Sequence, residues 1–438
     1  MKNLPISEQQ IRAISTGNNE PAWMRQRRIS AFKKYDELPP ETSPLFKKNL
    51  DLSDIPWNQY QLKRAVPNPT KPLMPQPANA IILDWPTALK KHEKTVRTTL
   101  KTLYLHEPEN AFTALNDAVF QNGYVVIIPD NTQLETPIYL PAYVKGTNGI
   151  QGVQNLIIAG KKSRSTLIQE TVNQLPIGKG TCFLSMTRIV AQENAHVNEG
   201  TLSALNSQTV SFTHKMAVAG PRAQLALANG LFGGKTSMSR TEIMLLGERS
   251  HVLDAELSFS DGNQRTNSTA NLHFKGFNAT GKIVHKSIFT DHAKGVFKGI
   301  ISIPEKAFGS SAYLSSHSVL LSPYAQADTI PALEIKNNNV KATHAASVAR
   351  LNDETLFYIM SRGIRLEAAK KMVVQGFMEP VLRQIQVPEV RQHVRQFIAR
   401  KMDGESIENA KPTCVSYLKE IPVNAPAPPQ FERHYKYR

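Results

Sequence analysis

The sequence predicts a mainly β protein, a β-solenoid with helical segments before and after it. Three observations predict this. From Gly123 to about Ile335 the chain is a run of short strand-like pieces, opening with Tyr124 to Ile128, Ile138 to Leu140, Asn155 to Ala159, Ser165 to Gln169 and Thr187 to Ala191. A weak repeat marks the run: a polar turn, a small residue, then an apolar residue soon after. It reads Glu193-Asn194-Ala195-His196-Val197, Pro221-Arg222-Ala223-Gln224-Leu225 and Glu248-Arg249-Ser250-His251-Val252, spaced 28 and 27 residues apart, with a fourth copy at Asp291-His292-Ala293-Lys294-Gly295-Val296. Outside the run, apolar residues recur at helical spacing between helix start and stop signals. Regular spacing of this size marks stacked coils that share one core, each expected to hold several short strands. Turns every roughly 8–12 residues also fit a β-sandwich, but the regular repeat favours the solenoid.

Taken in order, the first helix starts at Glu20-Pro21, because proline is tolerated in a first helical turn. Trp23, Ile29, Phe32 and Tyr35 give it an apolar face, and Pro39-Pro40 ends it. Pro67, Pro69, Pro72, Pro75 and Pro77 then form an extended linker. A second helical stretch starts near Asp84 to Pro86 and carries Leu89, Val96, Leu100 and Leu103; another runs from about Glu109 to Phe120. After the β-run, Asn352 is an N-cap with Asp353 and Glu354 in the first turn, where acids suit the helix dipole. Gly363 stops that helix. A helix from about Leu366 to Met378 follows, and Pro388 opens the last one, with Val390, Val394, Phe397 and Ile398 on one face. The expected domains are 1–122, helical with its proline linker at about 65–80; 123–348, the solenoid; 349–405, helical; and 406–438, a proline-rich basic tail.

Composition narrows the function. The 438 residues carry a formal net charge of +16. Basic residues are spread along the chain, and clusters such as Arg25/Arg27/Arg28 are short and lack stacking aromatics, so nucleic-acid binding is not expected. No run approaches the roughly 18 apolar residues of a membrane span, and the N-terminus lacks the apolar core of a signal peptide. Two cysteines, Cys182 and Cys414, make neither a disulfide framework nor a CxxC pair. A cytoplasmic protein is expected.

Several segments resemble the SufB/SufD family of iron–sulfur cluster assembly (SUF) proteins. Glu20-Pro21-Ala22-Trp23-Met24 with Arg28 and Asp36-Glu37-Leu38-Pro39 resembles its N-terminal helix. Asn110-Ala111-Phe112, Ala114-Leu115-Asn116, Gly123 and Pro129 resemble the entry to its β-domain. The closest matches come late: Gly295-Val296-Phe297-Lys298-Gly299, Pro331-Ala332-Leu333-Glu334-Ile335, Val340 to Val348, Leu356-Phe357-Tyr358 and Ser361-Arg362-Gly363-Ile364. The resemblance spans roughly residues 20 to 400, in order. It implies a right-handed parallel β-helix flanked by helical domains. It also implies a scaffold subunit of a SufB–SufC–SufD complex, with an iron–sulfur cluster held transiently and shared with SufB. SufB-type chains carry a cysteine in the last β-helix segment; here that segment is Lys341-Ala342-Thr343-His344. It keeps the histidine of the SufD branch, with Ala342 where that branch often has a cysteine.

The resemblance makes His344 the candidate metal or cluster residue, facing SufB at the C-terminal end of the β-helix. Imidazole is a competent iron ligand; the alternative is a structural histidine. Glu334 is a possible auxiliary, or satisfies backbone groups at a bend. Arg362, Gly363 and Ile364 mark the region that would contact the SufC ATPase, although Leu356, Phe357 and Met360 also read as ordinary core. His317 reads as a surface or satisfied histidine, and Cys182 as a small buried apolar residue. Leu231-Phe232-Gly233-Gly234-Lys235 lacks P-loop spacing and reads as a tight bend. The chain is therefore expected to be a non-catalytic scaffold with ATP hydrolysis in its partner; no catalytic residue and no flavin site is assigned. The competing readings are a β-helix carbohydrate-active enzyme, which would need acids clustered on one face, and a SufB-like homodimer.

Overall fold

The computed structural model describes residues 4–38, 52, 55–63, 76–103, 110–145, 148–174, 180–385 and 388–407. The Pro39-Pro40 stop, Pro67 to Pro75 of the linker, Cys414 and almost all of the basic tail lie outside the described residues. Two short strands, β1 (Gln61–Leu62) and β2 (Ile81–Asp84), precede the solenoid. Its strands are β3 (Tyr124–Ile128), β4 (Ile138–Lys145), β5 (Gly149–Ala159), β6 (Arg164–Gln174), β7 (Cys182–Ala191), β8 (His196–Leu205), β9 (Val210–Ala219), β10 (Gln224–Gly233), β11 (Thr236–Leu245), β12 (His251–Ser260), β13 (Arg265–Phe274), β14 (Thr280–Phe289), β15 (Lys294–Ile303), β16 (Ser311–Leu320), β17 (Gln326–Ile335) and β18 (Lys341–Arg350). Odd strands from β3 to β17 build one parallel sheet and even strands from β4 to β18 the other. Parallel ladders between strands a coil apart make this a solenoid and exclude the antiparallel sandwich.

Each coil holds two long strands instead of several short ones. The repeat explains why. His196, Gln224 and His251 stand side by side in the even sheet, so the 28- and 27-residue spacing is one coil. The fourth copy opens β15 in the odd sheet, where Lys294 pairs with Arg265. The motif therefore marks either corner. At the even-sheet corner one residue per coil has left-handed backbone: Lys162, Asn194, Arg222, Arg249, Asn278 and Gly309, with φ between 52° and 68°. The next residue is small and faces inward: Ser163, Ala195, Ala223, Ser250, Ala279 and Ser310 are at most 1% exposed. Between corners the period-two alternation of a strand sends every second side chain inside. Ile157, Ile189, Ala217, Ile243, Leu272 and Ile301 fill the space between the sheets.

The helices cover outer faces. Helix α1 (Glu8–Gly17) carries a capping box in which Ser7 and Gln10 satisfy each other's backbone N–H groups. Helix α2 (Ala22–Glu37) brings Arg28 fully inside, where it pairs with Glu20 at 2.6 Å and donates to the Phe120 carbonyl at 2.8 Å. The second helical stretch is broken at His92 into α3 (Trp85–Lys91) and α4 (Glu93–Leu103), and α5 (Ala111–Val119) follows. These pack on the odd sheet; Phe112 stacks on Phe212, and Trp85 meets Phe120 at a tilt of 59°. Three helices follow β18: α6 (Asp353–Met360), α7 (Leu366–Leu382) and α8 (Pro388–Met402). Val374, Met378, Val394 and Phe397 of α7 and α8 close over Leu202, Phe232, Leu257 and Val284 of the even sheet. The Gly233-Gly234 pair is the predicted bend, with φ of 83° and 81° between β10 and β11.

Phe274 is fully buried between the sheets. Phe274→Ala should lower unfolding free energy by about 3–5 kcal/mol, as large-to-small changes in a packed core do. A denaturant titration that finds less than about 1 kcal/mol would show that the inter-sheet space is loosely filled.

Candidate functional site

Strand β18 pairs with β16 on one side, and β17 with β15 on one side; among the described residues no strand pairs with their other edges. The last coil thus ends the solenoid with open ladders in both sheets. At the N-terminal end antiparallel β2 covers β3 in the odd sheet, while β4, the first strand of the even sheet, pairs only with β6 among the described residues.

Register fixes which way the last coil's side chains point. Ala312 and Leu314 are core residues of β16, and they pair with Ala342 and His344. Ala342, His344 and Ala346 therefore lie on the inward face, the next layer of the core. With no coil beyond them, His344 is exposed and Ala342 half-buried against the core. Glu334 belongs to the other face. It pairs with Ser302, in the column of His273 and Met244, and Met244 packs under the N-terminal helices. Glu334 is exposed on the outer side of the odd sheet, so the fold does not bring it to His344. His317 is satisfied, with Nδ1 2.7 Å from the Ser347 hydroxyl. Cys182 is fully buried on the outer side among apolar residues, and burial pushes its thiol up to about 12. Among the described residues no group of three or more His, Cys, Asp or Glu converges as a metal ligand set.

Arg362, Gly363 and Ile364 form the turn between α6 and α7. Gly363 has φ of 84°, and Arg362 donates to the Tyr358 hydroxyl at 2.8 Å. The expectation that Phe357 and Met360 are core is corrected here: Leu356 is buried, but Phe357 is 74% exposed and Met360 41%. Helix α6 is short and one-sided, and its other apolar residues stand free beside Tyr358, Leu366 and Met372. Exposed apolar residues grouped in this way mark a contact surface.

A third group was not visible as a group in the sequence. Glu199, Lys215, Asn229, Asp254, Glu256 and His285 meet inside the solenoid, all at most 9% exposed. The Lys215 ammonium contacts the Glu199 carboxylate and donates to Asn229 Oδ1 at 2.6 Å. Gln169 and Thr201 donate to Glu199 at 2.7 and 2.6 Å, and Asn229 reaches Asp254 at 3.3 Å. These acids look scattered along the chain. Glu199 and Asp254, however, are 55 residues apart, the sum of the 27- and 28-residue repeats, and so share one column two coils apart. The coil spacing was the signal that could have found them. They lie inside, not on an outer face, so they do not line a polymer-binding groove of the kind a carbohydrate-active enzyme needs. Burial pushes the Asp254 carboxyl up to about 7, with Lys215 opposing the shift. Burial also raises Glu256.

Residues 143–377 match the family model described as the SUF system FeS cluster assembly, SufBD core domain. The chain is similar to a protein of Staphylococcus saprophyticus described as an iron-sulfur cluster assembly SufBD family protein, at 25% identity over 91% of this chain and 93% of that one. Proteins of the same description from Staphylococcus haemolyticus and Staphylococcus aureus match at the same identity and coverage. No described helix is long and apolar enough to cross a membrane.

Asp254 gives a pH test. Its folded pKa is raised, so between about pH 4 and pH 7 the folded chain holds a proton that the unfolded chain has lost. Its stabilising contribution is present below about pH 4 and is lost as pH rises through about 7, at up to about 1.4 kcal/mol per pH unit. Asp254→Asn should flatten that slope and raise the melting temperature at pH 8. Unchanged pH dependence of unfolding would show that Asp254 is ionised in the folded chain.

Proposed function

We propose that this chain, which belongs to the SufBD family of iron–sulfur cluster assembly proteins, is a SufD-type scaffold subunit that receives a nascent cluster at the open end of its solenoid. The observation that carries this reading is His344: an exposed, inward-facing imidazole on a strand whose outer edge pairs with no strand among the described residues. One imidazole does not hold a cluster alone, and cluster sites are built mainly from thiolates. The remaining ligands then come from a second chain, of SufB type, whose own edge strands would continue the ladders of β17 and β18. Ladder hydrogen bonds would give affinity, and alternate side chains register. The cluster in this reading is cargo, held transiently and shared across the interface.

The exposed apolar residues around α6 suit a second partner, a SufC-type ATPase. Arg362, Gly363 and Ile364 would lie at that contact, and Phe357 would be its apolar anchor. The role is structural, and nucleotide hydrolysis belongs to the partner. The domain division at 122/123 and 348/349, the latter two residues short of the end of β18, follows the same reading: the central unit presents the edge and the C-terminal unit the ATPase contact. A cytoplasmic site of action accords with it.

His344→Ala in the purified complex should cut cluster yield several-fold while co-purification of SufB-type and SufC-type subunits stays unchanged. Equal yield from wild type and variant would remove His344 from the chemistry. Phe357→Asp should release the ATPase and leave edge pairing intact. If the chain co-purifies only with itself, the homodimer reading takes the place of the heteromeric one.

A further inference from the structure

Thr201, Asn229, Glu256, His285 and Ser316 stand in one inward-facing column, on β8, β10, β12, β14 and β16 in turn. The next position in the column is Ala346 on β18, two residues from His344. Polar groups in a sealed interior are costly unless they are paired, yet this column stays polar for five successive strands. Its last members are closely spaced. The Ser316 hydroxyl lies 3.1 Å from His285 Nδ1, and His285 Nε2 lies 3.6 Å from Glu256 Oε1. That oxygen has no hydrogen-bond partner among the described residues. Glu256 Oε2 accepts from the Ser239 hydroxyl at 3.0 Å. Phe297 stacks on the His285 ring, with centroids 4.1 Å apart and planes 19° from parallel, and so fixes its orientation.

We propose that Ser316, His285 and Glu256 form a proton-transfer lane from the open end of the solenoid into its interior, and that it takes up the protons which partner thiols release on binding iron there. It rests on the scaffold reading above. Metal binding by thiols releases protons because the thiolate is the ligand. Burial, with His317 nearby, lowers the His285 pKa to about 3, so the ring is neutral, with one nitrogen accepting and the other donating. Ser316 donates to Nδ1, and the Nε2 proton faces Glu256. As the sulfur–iron bond forms, the thiol proton passes to a water at the open end, and that water passes a proton past the Ala346 methyl to Ser316 Oγ. The hydroxyl's own proton passes to Nδ1, and the Nε2 proton passes to the Glu256 carboxylate. No electron changes hands, and the charge the thiol leaves on sulfur matches the charge neutralised on Glu256. The charged and titratable groups facing Glu256 are Lys215 from β9, Asp254 from its own strand and His285 from β14. Burial raises the Glu256 pKa, while hydrogen bonds from Ser268 and Ser239 and the Lys215 charge oppose the shift and favour the carboxylate that accepts the proton. In this column only the methyl group of Ala346 separates Ser316 from the end, one strand spacing of about 4.8 Å.

The test uses the full chain in complex with its SufB-type and SufC-type partners, with ferrous iron added anaerobically for the proton and infrared readings and ferrous iron with sulfide for the cluster rate. In wild type the infrared difference spectrum should gain a protonated-carboxyl band, and the E256Q complex should lack it and release more protons to the medium. Cluster formation should slow about tenfold or more in E256Q and H285F, since a positioned base contributes about 10²–10⁴-fold. S316A, the mildest change, decides the case if either of those complexes fails to assemble. Assembled variants with wild-type spectra and rates overturn the lane and leave the scaffold intact. A wild-type complex that binds neither partner and builds no cluster overturns both.

Discussion

The backbone hydrogen bonds between successive coils set the terms for everything else. Every strand of a parallel solenoid has two edges, and each is satisfied only by the coil above or below. Stacking therefore solves the edge problem everywhere except at the ends. At the N-terminal end antiparallel β2 closes the odd sheet over β3, and among the described residues the outer edge of β4 in the even sheet has no strand partner. At the C-terminal end the chain turns away into α6, and among the described residues the ladders stay open. An open parallel edge invites pairing with another chain, and this one carries an imidazole on its core-facing side. The two ends differ in the odd sheet, which β2 closes on the N-terminal side and nothing among the described residues closes beyond β17.

The same stacking governs the interior. Strand periodicity sends alternate residues inside, and register lines them up coil after coil, so one polar residue in a column acts as the neighbour of the next. Part of the interior is filled by aliphatic columns such as Ile189–Ala217–Ile243–Leu272–Ile301. The other part is the polar column ending at Ser316. Lys215 is the buried cation opposite Glu199 and Asp254, and breaking such a pair leaves an uncompensated charge inside. A buried polar set of this kind contributes little net stability for its desolvation cost, which turns attention to what else it does.

Much of this was legible in the sequence, and the reasons for the gaps are physical. The corner motif is local, so its 28- and 27-residue spacing revealed the coil without any knowledge of tertiary contacts. Strand length was not legible: Ile138 to Leu140 reads as a short piece because Pro141 follows, yet β4 runs on to Lys145. Helix α1 was missed, although Ser7 and Gln10 hold the spacing of a capping box. His344 was singled out by resemblance, and its inward direction came only from its register with Leu314. Glu334 looked close to His344 by number, but the two sit in different sheets and face opposite ways. The charged interior was missed because its members are near neighbours only once the chain is wound.

Two residues, Leu351 and Asn352, separate the end of β18 from the start of α6. The connection is too short to act as a slack tether. Helices α7 and α8 are clamped to the even sheet by a broad apolar contact, whereas α6 exposes Phe357 and hangs directly from the outermost strand. A force drawing α6 away from the sheet is therefore carried by the ladder bonds nearest Arg350, one after another, as in opening a zip. Resistance to such peeling is far lower than resistance to sliding a whole strand along its neighbour. The last coil is the mechanically weakest part of the solenoid, and it lies between the two surfaces that partners would hold.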